Sequence, residues 1–209
     1  MIFCSILLFL SHAWAVTDDV QRTWFGIFGR KAFNENYSMH QEFQLRYDLE
    51  NGEMQQSLIR FGVLQKYNEK HELGYIFAFV SSTASKEYRP TLQHVYLSKL
   101  GESFPLLIRS RLELRDIENN DDNSFRYRML LNLRYQASSH FSYLIWNEAF
   151  FNLSREMWTG DRTFERNRLF MGGRIDQSYG RWEVGYLNQY IPRTPRSTME
   201  HMAVFYFYF

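Results

Sequence analysis

The run IRSRLELR, Ile108–Arg115, sets Ile108, Ser110, Leu112 and Leu114 against Arg109, Arg111, Glu113 and Arg115. A period of two puts one set on one face of an extended strand and the other set on the opposite face. The next run repeats it, with Tyr127, Met129, Leu131, Leu133 and Tyr135 alternating with Arg126, Arg128, Leu130, Asn132 and Arg134. Strands with one apolar and one arginine-rich face meet two different surroundings. The pattern extends back to Tyr37–Asp48 and forward to the terminal HMAVFYFYF, His201–Phe209. It predicts strands at 22–33, 37–48, 56–67, 72–81, 91–98, 105–115, 125–135, 141–151, 166–175, 181–190 and 200–209. Most are about ten residues long, the length a tilted strand needs to cross a bilayer, whereas strands of water-soluble proteins average about 5–6.

Composition agrees with interleaving. Aromatic residues make up 18% and charged residues 22% of the 209, and mean hydropathy is −0.44. The formal net charge of +1 shows no basic excess of the kind a nucleic-acid-binding surface needs, so no nucleic-acid partner is expected.

Residues 1–15, MIFCSILLFLSHAWA, carry a short apolar core followed by Ala13-Trp14-Ala15, a small-x-small cleavage pattern. The core is shorter than the roughly 20 residues of a spanning helix. A signal peptide at 1–15 and a mature domain at 16–209 are therefore expected. The lone cysteine, Cys4, falls in the signal, so the mature domain is expected to have neither disulfide nor thiol chemistry.

In hydrocarbon every backbone donor and acceptor must be satisfied internally, which leaves helices or closed barrels. With repeated alternating strands and no apolar helix of spanning length, the expected fold is all-β: a closed antiparallel transmembrane β-barrel. Eleven strands are visible, but bacterial barrels close with an even number. Either 22–33 hides a break, giving twelve, or it lies outside the wall, giving ten; twelve is the expectation. Tight turns at 68–70, 136–139 and 176–180 and longer connections at 82–90, 117–124, 152–165 and 191–198 fit short periplasmic turns and longer external loops. Export followed by barrel insertion places the chain in the outer membrane of a Gram-negative bacterium, as a monomer among outer-membrane lipids and lipopolysaccharide. On this reading Phe205, Phe207 and Phe209 face lipid.

A terminal Phe preceded by aromatics at alternate positions resembles the signature that outer-membrane barrels present to their assembly machinery. Trp24, Gly74-Tyr75, Arg109–Arg115, Asn147–Phe151, Asn167-Arg168 and Gly185-Tyr186, in that order, resemble the outer-membrane barrel family known as domain of unknown function 2490. The resemblance spans nearly the whole mature chain. It implies a fold and a location, and no activity.

Arg109, Arg111, Glu113 and Arg115, with Arg126, Arg128 and Arg134, would line the interior and pair with carboxylates such as Glu42, Glu148 and Glu183. Rings of arginine favour anions in pores. In a narrow barrel the same residues can instead fill the interior as a plug, and small-barrel geometry favours that reading. The function expected is a structural or surface-interaction barrel, or a narrow pore. Two alternatives stand beside it. An outer-membrane lipid-modifying hydrolase would use His94, with Ser110 or Ser124 brought near it by strand pairing, because Ser98 is too far along the same strand. A secreted soluble β-sandwich or lipocalin-like binding protein would bury the apolar face and wet the charged one. No enzyme motif, metal-ligating spacing or cofactor signature is present, since the Glu118–Asn123 run lacks the spacing and glycine of an EF-hand loop. Arg155, Arg162 and Arg166, around Asp161, are candidate lipopolysaccharide contacts.

Overall fold

The computed structural model describes residues 17–101, 103–154, 156 and 162–209. The expected signal peptide, with Ala13 and Ala15, lies outside them, as do Arg155 and Asp161. Eleven strands follow one another: β1 (Thr17–Ala32), β2 (Tyr37–Asp48), β3 (Met54–Lys66), β4 (His71–Ser82), β5 (Lys86–Leu100), β6 (Phe104–Ile117), β7 (Ser124–Gln136), β8 (Phe141–Asn152), β9 (Phe164–Gln177), β10 (Gly180–Ile191) and β11 (Ser197–Tyr208). Each pairs with its sequence neighbours, and β1 meets β11, so the sheet closes into a barrel with no edge left unpaired.

The closed barrel stands as expected, but with eleven strands in place of an even number. The first strand is unbroken through 17–32 and sits within the wall. With an odd count in an up-and-down meander, the first and last strands run the same way, so the ring closes through one parallel pair. Its register runs from Thr17 opposite Ser197 to Phe28 opposite Tyr208. The other ten pairings are antiparallel. The terminal aromatic run zips along this seam: Phe209 N–H donates to Phe28 O, and Arg30 N–H to Phe209 O. At Gly29 there is room for the Phe209 ring, which would stand 2.8 Å from any added Cβ.

Connections 33–36, 67–70, 101–103, 137–140 and 178–179 and the C-terminus share one end, here the turn rim. Connections 49–53, 83–85, 118–123, 153–163 and 192–196 share the other, the loop rim. The loop expected at 82–90 is only 83–85, because β5 begins at Lys86 and continues through Pro90. Thr17 and Phe209 therefore lie at opposite rims.

Burial is inverted. Among the described residues 23 polar or charged side chains are buried, against 17 hydrophobic ones, while 33 large apolar side chains are exposed. The apolar parity of each strand faces outward and the charged parity inward. Ala203 and Phe205 on β11 and the terminal Phe209 are exposed and Phe207 is half-buried, while Val204 and Tyr206 are buried.

Candidate functional site: the arginine-lined lumen

The inward parity encloses a cavity of about 880 Å³. Its lining reaches from Ala84, Ser85 and Arg193 at the loop rim to Ser98, Pro105 and Arg181 near the turn rim. Fourteen of the chain's 19 arginines line it, and none of its five lysines. The selection has a physical basis: guanidinium is planar, less strongly hydrated than ammonium and able to hold carboxylates with paired donors while crowded among other arginines.

Register builds the network. Glu113, fully buried on β6, lies opposite Arg126 and accepts from it at 2.5 Å, and accepts from Arg128 at 2.6 Å. Arg128 also reaches Glu148 at 2.7 Å, and Arg109 meets the same carboxylate at 3.1 Å. Glu87 is shared by Arg89 and Arg115, both at 2.6 Å, and Arg60 binds Glu42 at 2.5 Å. Arg126, Arg128, Arg166 and Arg168 surround the buried ring of Phe150, with guanidinium carbons 4.6–5.7 Å from its centroid. Arg111 and Arg128 stand directly opposite each other on β6 and β7, a like-charge pair that would repel without these shared carboxylates.

The carboxylates do not balance the arginines. Ten of the fourteen lie within ion-pair distance of Glu42, Glu87, Glu113, Glu148, Glu165, Asp176 or Glu183. For Arg46, Arg111, Arg134 and Arg193 there is no such carboxylate among the described residues. With the buried Glu200, which pairs with Arg22 at 2.8 Å, the interior holds eight acids against fifteen arginines, which leaves it strongly cationic in a chain whose net charge is only +1.

The lumen is not charged throughout. Trp24, Leu130, Leu144, Trp146, Phe170, Leu187, Met202, Val204 and Tyr206 form an apolar cluster against the wall made by β7 to β11 and β1. It packs part of the interior, while seven of the fourteen lumen arginines rise from these same strands, on β7, β9 and β10, and six from β2, β3, β5 and β6. The interior is thus part packed side chains and part cavity.

The model of the protein family of unknown function DUF2490 matches residues 21–200. The chain belongs to that family. No curated protein matches it. Among solved structures it is similar to the NanC porin, with a TM-score of 0.53 over 82% of this chain and 87% of that one, at 9% identity. At that identity the likeness is one of fold.

In this DUF2490 barrel Arg109, Arg111, Glu113, Arg115, Arg126, Arg128 and Glu148 meet in one lumen. Arg134 also lines it but lies nearer the turn rim, and its Nε has no hydrogen-bond partner. Arg46, Arg60, Arg89, Arg168 and Glu87 belong to the same network. Their signal in the sequence was the one that revealed β6, a charge at every second position, as in Glu87-Tyr88-Arg89. His94 points outward. It sits 2.9 Å from His71, while Ser110, opposite it in register, bonds Tyr127 at 3.0 Å, and Ser124 is buried inside near the loop rim. Strand pairing therefore brings His94 opposite Ser110 but not near Ser124. Arg162 donates to Thr194 Oγ1 at 2.5 Å, and Arg166 is drawn into the lumen by Glu165.

Proposed function

We propose that the protein is an integral outer-membrane barrel whose lumen forms a narrow, anion-attracting passage. The observation that carries this reading is the excess of arginine along a cavity lined from rim to rim, since a ring of uncompensated guanidinium groups lowers the electrostatic barrier for anions and raises it for cations.

The inverted burial supports a lipid surround. Soluble monomers rarely expose contiguous apolar patches beyond a few hundred Å². The few polar groups on the outer face also satisfy one another: Asn147 and Asn167 exchange amide hydrogen bonds at 2.9 and 3.0 Å, His71 pairs with His94, and Tyr186 with His201. A surround that supplies no hydrogen bonds requires such pairing. The turn rim is the periplasmic end, following the general rule for such barrels. Export by the 1–15 signal, recognition of Phe205, Phe207 and Phe209 by assembly machinery, and lipopolysaccharide around the loop rim complete the reading.

Folded protein, identified by faster gel migration before boiling than after, is reconstituted into planar bilayers. Discrete current steps are expected, with a reversal potential in a salt gradient showing chloride preference. Replacing Arg109 and Arg111 together by Gln should reduce that preference. Folded protein that yields no steps, or prefers potassium, contradicts the proposal.

A further inference from the structure

Within the lumen two guanidinium groups keep donors for which no carboxylate stands within hydrogen-bond reach.

Arg46 on β2 stacks on Trp24, its guanidinium carbon 3.7 Å from the ring centroid; the buried Glu200 is a nearby counter-charge, but among the described residues no carboxylate lies within ion-pair distance of Arg46 and no side chain accepts from it. Arg168 on β9 lies 5.0 Å from the same centroid. It is 6% exposed, its Nε donates to Gln189 at 2.5 Å, and Glu148 stands 3.6 Å away, beyond hydrogen-bond reach. Both groups share one ring, so their centres lie within roughly 9 Å, close enough for one small oxyanion to accept from both. Trp24 is itself fixed, since its indole N–H donates to Gln44 Oε1 at 2.9 Å and Tyr206 packs edge-on against it. Both arginines line the cavity, so they border the open volume of the lumen.

We infer that Arg46 and Arg168, held over Trp24, form a binding site for a small oxyanion, a carboxylate or a phosphate, within the lumen. The inference rests on the anion-passage reading and gives it a selective station. Most other arginines of the lumen already spend donors on carboxylates, Arg111 donates to Gln93, and a halide offers one acceptor atom where an oxyanion offers a separate oxygen to each planar fork. Free carboxylates and phosphates therefore compete at this point, and ordinary chloride passes with less delay.

The test uses the mature chain folded in detergent and the same protein in bilayers. Potassium phosphate and potassium acetate are titrated separately at constant potassium chloride. Two quantities are read: the rise in thermal unfolding temperature expected from ligand binding to the folded state alone, and the saturable fall in chloride current. Arg46→Gln and Arg168→Gln should weaken the effective anion by roughly tenfold or more, the scale of a lost charge-assisted hydrogen bond. Arg134→Gln, on the same cavity nearer the turn rim, should leave it unchanged. Arg46→Lys keeps the charge without the fork and should recover only part, and it serves in place of Arg46→Gln if that variant does not fold. Which salt acts in the wild type distinguishes a phosphate from a carboxylate occupant. Absence of a saturable effect with either, or equal loss in Arg134→Gln, overturns the site. If the barrel carries no current while an anion still raises the unfolding temperature of wild type but not of Arg46→Gln, the passage fails and the site stands.

Discussion

At the residue scale, Glu113 holds the most consequential position. It is wholly buried between Arg126 and Arg128, and the next carboxylates those arginines reach are Glu165 and Glu148. Glu113→Gln leaves two buried guanidinium groups with too few acceptors and is expected to cost about 3–5 kcal/mol, the range for breaking one side of a buried pair. The urea midpoint of the detergent-folded barrel measures it. A second position is set by space. Gly172 and Gly185 lie opposite each other on β9 and β10, the ring of Phe170 covers both, and a Cβ at Gly185 would stand 2.4 Å from Met171 O. Gly185→Ala should therefore destabilise by about 1–3 kcal/mol, as overpacking does. The charge of Glu113 and its inward parity were legible in the sequence, since alternation fixes the face. Its partners were not. Arg126 is 13 residues away and Arg115, two residues away, pairs instead with Glu87, because pairing follows inter-strand register and not proximity along the chain.

At the element scale, most strands were legible because each is a self-contained alternation. The exceptions were edges and closure. Lys86–Pro90 reads as loop because proline and charges cluster there, yet Pro90 faces outward in β5 and the wall continues through it. The eleven alternations were visible, and the expected twelve came from the even-number rule for bacterial barrels; nothing local in 17–32 states that the strand will meet β11 in parallel. Parallel closure makes a sharp prediction. Thr23 and Ala203 are register partners on the outer face, so cysteines at both positions should oxidise to a crosslink in the folded barrel, adjacent strands being about 4.8 Å apart. Cysteines at Thr23 and Met199 should not, although an antiparallel seam would bring other pairs together. Failure of the first pair to crosslink in protein that migrates as folded would refute the parallel seam.

For the whole molecule, one partition underlies both the fold and the proposed anion passage: apolar side chains point outward, arginines and glutamates inward, and the acids inside are too few. That partition was readable from Arg109–Arg115 alone, whereas the cavity beside the apolar cluster depends on how eleven strands curve and pack and has no local signature. It is tested most directly by single cysteines carrying a fluorescent label, introduced after Cys4 is replaced, in barrels reconstituted with phospholipids brominated along their acyl chains. Labels at Leu112, Met129 and Val184 should be strongly quenched, and labels at Arg109, Asn132 and Glu183, on the same or neighbouring strands, should not. Quenching of the second set, or of neither, would contradict the account.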